Sequence, residues 1–149
     1  MNQIETGILQ FEWAIKLYLY ENAFVPAITL AGAAEGIFGE IKSGYIFHQV
    51  SENIAIKNNL QVKLVSKEIN KVRNWLKHGS CHQSFTELSE QEFTEAAISR
   101  IIIAATALIH LKPDYMSNLF IKFMQHTQTH YSDFLPDDNF DWNKIEIEE

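Results

Sequence analysis

The sequence predicts an all-α protein, an antiparallel bundle of four long helices plus short extra helices, and three observations carry that prediction. Apolar residues recur every three or four positions along several stretches, the periodicity of helices with one buried face. No stretch sustains the strict alternation of a half-buried strand. At 149 residues, with 46% apolar and 12% aromatic content, the chain can fill one core, whereas two domains would each be too thin. Residues 1–131 are expected to form a single helical domain and residues 132–149 an acidic C-terminal tail.

From Ile4 to about Tyr20, Ile8, Phe11, Ile15, Tyr18 and Leu19 mark a first amphipathic helix, which Asn22 interrupts. A second helix runs from about Ala23 to Lys42, with Pro26 tolerated in its first turn, where its missing N–H is not needed. Its core stripe is Ala27, Leu30, Ala34, Ile37, Phe38 and Ile41, while Ile28, Gly32, Glu35 and Gly39 line a neighbouring face; Ser43-Gly44 ends it. Residues 45–58 allow a short helix around Phe47 to Ile56, with a break at Asn58-Asn59. A third long helix is predicted over about Leu60 to Lys77 from Val65, Ile69, Val72 and Leu76, with Gly79 placed to cap it. Ser89-Glu90-Gln91-Glu92 reads as a capping box that opens a fourth helix reaching about Leu111. That helix is apolar nearly all round through Ile101 to Ile109, so it should be the most buried. Pro113 is expected to start a fifth, carrying Met116, Leu119, Phe120 and Phe123 and fading near Tyr131. The tail after Ser132 holds seven acids against Lys144 and should pack only through Phe134, Phe140 or Trp142.

Cys81 is the single cysteine, which excludes an internal disulfide and any zinc framework built on several thiolates. The N-terminus has no basic segment leading into an apolar run, so no signal peptide is expected. Ile101 to Leu111, bracketed by Arg100 and Lys112, falls short of the roughly 20 residues a membrane span needs. A cytoplasmic protein with no membrane partner is the expectation. The net charge of −7 argues against a general nucleic-acid coat, yet the charge is uneven. Between Asn53 and Thr86 lie six of the twelve basic residues, Lys57, Lys63, Lys67, Lys71, Arg73 and Lys77, and only one of the nineteen acids, Glu68. That segment is where an anionic partner would bind.

On the third predicted helix, Lys63, Lys67, Asn70, Lys71, Asn74 and His78 fall opposite the apolar stripe at 100° per residue. Arg73 lies at the edge of that stripe and would project about 140° from His78 in an unbroken helix. A cap at Gly79 would leave His78 in a loosening last residue, where the helix C-terminus favours its protonated form. The sequence Arg73-Asn74-Trp75-Leu76-Lys77-His78, near the end of a long helix, resembles the Arg-to-His motif of the HEPN family of all-helical RNA-acting proteins. Leu30 to Gly39, with its Ala33-Ala34-Glu35-Gly36, is similar to the second helix of small bacterial HEPN-like proteins, and the resemblance spans about residues 8 to 130. It implies a homodimer with two motifs facing one cleft, RNA or a nucleotide as ligand, no metal and no cofactor, and an antitoxin or other protein as further partner. In a ribonuclease member one His would take the proton from a ribose 2′-hydroxyl, the alkoxide would attack the adjacent phosphate, and an acid would protonate the leaving 5′-oxygen. Arg73 would neutralise the charge developing on phosphorus.

The candidate catalytic set is therefore Arg73, Asn74, His78 and Glu35, with Lys63, Lys67, Lys71 and Lys77 as phosphate contacts. Glu35, flanked by Gly32, Gly36 and Gly39, would orient His78 or pair with Arg73, or else rim a tight helix contact. A catalytically silent module binding RNA, nucleotide or protein, and a structural helical adaptor, use the same residues without chemistry. His126 and His130 stand at i, i+4, a spacing that can bind metal, with Cys81 and His82 as conceivable further ligands; edge-of-core histidines are the expectation. His110 is read as a hydrogen-bonded core residue, and Phe11, Trp13, Tyr18, Phe120 and Phe123 as core aromatics.

Overall fold

A computed structural model describes residues 1–39, 45–77, 87–136 and 139–148. Among the described residues there is no strand, and six α-helices make an all-α bundle: α1 (Gln3–Glu21), α2 (Phe24–Gly39), α3 (Tyr45–Lys57), α4 (Val62–Lys77), α5 (Glu90–Leu111) and α6 (Asn118–His130). Two single turns of 3₁₀ helix follow, Ser132–Phe134 and Trp142–Lys144.

Local chemistry sets the helix ends. Asn2 accepts the Glu5 N–H at 2.8 Å while Glu5 reaches back to the Asn2 N–H at 3.0 Å, a reciprocal cap for the orphan donors of α1. Asn22 closes α1 in the left-handed region at φ 50°, and Asn59 at φ 54° turns the chain between α3 and α4, the break expected at Asn58-Asn59. Ser89 and Glu92 cap α5 as the sequence predicts. The start of α6 differs from expectation. Ser117 is its N-cap, bonded to the Phe120 N–H at 3.1 Å, so the helix begins at Asn118 and Pro113 lies in the preceding turn.

The core sits where α1, α2, α5 and α6 meet, around Phe11, Ile15, Phe38, Ile98, Ile101, Leu108, Phe120 and Phe123. From Thr94 to Leu108 α5 is buried save Glu95 and Thr106, although Ile109 is 36% exposed. By length and composition α5 could cross a membrane, but 72% of its apolar window is buried inside the bundle. Close packing of α1 on α2 depends on Gly7, where an added Cβ would stand 2.6 Å from the Phe38 ring. On α2 the buried positions are Ala27, Ile28, Ala31, Ala34 and Phe38, so Ile28 belongs to the core face because two neighbours, α1 and α5, cover the helix. Trp13 is 49% exposed and not core, being two residues, or 200°, round the helix from Phe11. Lys16 lies over its ring at 4.6 Å.

The tail packs more extensively than its composition suggests. Lys57 donates to the carbonyls of Ser132 at 2.6 Å and Leu135 at 2.9 Å, and Asn58 to that of Asp133. Gln125 of α6 donates to the carbonyls of Trp142 and Ile145, and the Trp142 ring meets Phe120 edge-on at 5.6 Å. Leu135 is buried, while Phe140 is half exposed.

Four helices converge on one side chain. Arg100, 1% exposed in the middle of α5, donates to Glu35 of α2 at 2.7 Å and to Asn70 of α4 at 3.3 Å, with a longer 3.5 Å approach to the Ile69 carbonyl. Its guanidinium lies 5.8 Å from the Phe47 ring of α3. Glu35→Ala should therefore cost about 3 kcal/mol of stability in urea unfolding, since it strands a buried guanidinium. Replacing both partners, Glu35→Leu with Arg100→Met, should recover most of that loss, and a double-variant loss equal to the sum of the Glu35→Leu and Arg100→Met losses would show that the pair is not coupled.

Candidate functional site

Helix α4 is strongly two-faced. Val65, Ile69 and Val72 are buried, and Lys63, Lys67 and Lys71 point outward, which is the helix phase read from the sequence. Asn74 is exposed and Arg73 is half-buried at the border of the apolar stripe. Among the described residues Arg73 makes no ion pair. The helix bonds the Arg73 N–H to the Ile69 carbonyl, the same oxygen that Arg100 approaches, so the buried network holds the backbone under Arg73. His78 lies outside the described residues, as does the Lys77 side chain.

Three expectations about this site change. Glu35 does not pair with Arg73: its carboxylate is 2.7 Å from Arg100, the other arginine of the chain, because α2 packs on α5 and the only charge of each apolar segment meets there. Asn70 is turned inward to the same guanidinium rather than out with the lysines. Lys71 is bound to Glu92 at 3.0 Å, and that hydrogen bond raises the lysine's pKa and lowers the carboxylate's. Of the predicted phosphate contacts, Lys63 and Lys67 are the described ones that remain exposed and outside any ion pair.

Beside α4 runs a groove of about 560 Å³ between α3, α4, α5 and the start of the tail. Ile54, Leu60, Leu64 and Val65 give it an apolar floor, and Glu68, Glu92, Glu95 and Asp133 an acidic rim with Lys67. Leu64 is 53% exposed there. An acidic rim repels RNA phosphates, so the exposed part of α4 that lies outside the groove, with Lys63 and Asn74, is the part open to a polyanion, while Lys67 stands at the groove's edge.

At one end of the bundle the last turns of α1 and α6 meet the first turn of α5. Tyr18 packs edge-on against His126 at 5.5 Å, and His126 lies 4.8 Å from the His130 ring. Burial, and His130 beside it, lower the His126 pKa; burial raises that of Tyr18. No cluster of three or more His, Cys, Asp or Glu residues able to hold a metal occurs among the described residues, and Cys81 and His82 lie outside them. His110, read as core, is exposed in the last turn of α5 with its Nδ1 2.8 Å from the Thr106 carbonyl.

Sequence reasoning missed Arg100 as the organiser of the site. The signal was present: a lone cation in a helix apolar all round, and Glu35 as the lone charge of α2, each needing a buried partner. No family model, no curated protein and no solved structure matches the chain.

His126 yields a pH prediction. Its folded-state pKa lies below the ordinary 6.5, so as pH falls the unfolded chain takes the proton first, and this part of the stability is full above 6.5 and lost below it. Tyr18, Tyr131, His130 and Glu90 share its surroundings. Thermal unfolding at pH 7.5 and 5.5 should show a larger drop for the wild type than for His126→Phe; identical drops would mean that His126 titrates normally.

Proposed function

We propose that this chain is an HEPN-like RNA-acting domain whose contact surface is the Lys63, Lys67, Arg73 and Asn74 side of α4, acting as a homodimer. The observation that carries the reading is the contrast between the two arginines. Arg100 is wholly consumed by Glu35 and Asn70, whereas Arg73 makes no ion pair among the described residues of a chain with a net charge of −7. A partly exposed guanidinium offers a two-donor fork to a phosphate, Lys63 and Lys67 add positive charge earlier on the same helix, and the helix beneath it is pinned.

In the catalytic version His78 supplies the acid–base step without a metal, and two copies supply two imidazoles. The silent version, a module that binds RNA, nucleotide or a protein partner, draws support from the capture of Glu35 by Arg100, since that carboxylate is then committed to the fold.

Incubation of the full chain with labelled RNA in chelator separates the two. Cleavage that persists in chelator, falls about a hundredfold in His78→Ala and at least about tenfold in Arg73→Lys supports the ribonuclease. Binding without cleavage, weakened by Arg73→Lys, supports the silent module. Lys63→Ala and Lys67→Ala should each weaken RNA binding about threefold and lower its salt slope by about one. Sedimentation of the wild type as a strict monomer, or RNA affinity indifferent to Arg73, sinks the reading.

A further inference from the structure

We propose that the groove between α3, α4, α5 and the start of the tail receives an amphipathic helix of a partner protein, one that carries apolar anchors flanked by lysine or arginine. The proposal uses none of Arg73, Asn74 and His78 and does not rest on the RNA reading.

The floor selects an apolar face. Leu60 and Leu64 line the groove with 54% and 53% exposure, beside the nearly buried Ile54, Val65, Ile69 and Val72. Ile54 belongs to α3 and the last three to α4, so the floor is a seam between packed helices and not one stray side chain. A continuous apolar surface inside a polar rim is the form of a protein-binding groove. Along α4 the lining runs from Leu64 to Val72, a rise of about 12 Å at roughly 1.5 Å per residue, which matches about two turns of a docked helix. The partner's backbone is helical for a separate reason. No strand among the described residues offers an edge, so an extended segment would lay its N–H and C=O groups on an apolar floor without partners, whereas a helix pairs its own.

The rim selects the charge. Glu92 is held by Lys71 at 3.0 Å and caps the start of α5, so it is already committed. That leaves Glu68 on α4, Glu95 on α5 and Asp133 on the tail against Lys67. None of these three acids makes an ion pair among the described residues; the uncharged Gln91 donates to Glu95, and Lys71 lies close enough to Glu68 to feel its charge. The helix ends do not decide the sign, since α3 finishes at the groove and α4 starts beside it with the opposite partial charge. Because the three acids stand on three different elements around the floor, basic residues on either flank of an apolar stripe find carboxylates. The acidic tail of a second copy has the wrong sign for this rim, and so has RNA.

The test is fluorescence anisotropy of labelled, alanine-based peptides of about 20 residues, long enough to hold a helix in water, titrated with the full chain at fixed ionic strength. The first carries leucines at i, i+4 and i+7 between lysine flanks; the second has glutamates in place of the lysines, and the third alanines in place of the leucines. The first should bind saturably and about tenfold more tightly than either control. Leu64→Ser should weaken it about tenfold, and Glu95→Gln and Asp133→Asn about threefold each, with thermal midpoints unchanged. Arg73→Lys, which damages RNA binding if the RNA reading holds, should leave peptide affinity untouched, so the two proposals fail separately. Should Leu64→Ser shift the thermal midpoint, Leu60→Ser takes its place. No saturable binding up to about 1 mM, equal binding of the glutamate or the leucine-free peptide, or indifference to both leucine variants overturns the proposal. Sedimentation as a dimer that Leu64→Ser dissociates overturns it too, in favour of an interface between copies of this chain.

Discussion

Everything on the α4 side of the molecule hangs on a single buried cation. An arginine in the middle of an apolar helix is stable only if its guanidinium finds acceptors on all sides, and Arg100 finds them on α2 and α4, with an aromatic face from α3. Those bonds are directional, whereas packing of Ile69 and Val72 alone would let α4 slide. The network thus fixes the rotation of α4, which sets Lys63 and Lys67 outward and Arg73 at the border.

Much of this fold was legible in the chain. Where a helix end is written in local chemistry, as in Ser89 to Glu92 or at Asn22 and Asn59, the sequence locates it closely, because the cap residues satisfy groups within a few positions of themselves. Pro113 misled because proline permits a helix start without requiring one, and the hydroxyl that caps α6 belongs to Ser117. The candidate site was less legible for a different reason. Glu35 and Arg100 are 65 positions apart, and no periodicity within either helix reveals which distant charge completes it. Trp13 and His110 show the same limit: apolar surroundings in sequence do not specify which face a neighbour covers.

The two ends of the bundle offer contrasting chemistry. Along α4 the exposed lysines Lys63, Lys67 and Lys71 share the surface with Glu68 and Asn74, beside a groove whose rim is mostly acidic. At the cleft between α1, α5 and α6 the polar groups include two phenols, two imidazoles and a carboxylate set among aromatic rings.

The clasp on the C-terminal segment has its own implication. Lys57, Asn58, Asn118 and Gln125 all grip main-chain carbonyls there, at Ser132, Leu135, Asp133, Glu148, Trp142 and Ile145. Carbonyl oxygens are the same at every residue, so these contacts do not read the identity of the acidic side chains. Drift among Asp133, Glu146 and Glu148 can therefore retune the surface charge of the molecule while the segment stays moored, and added salt should leave these moorings largely untouched.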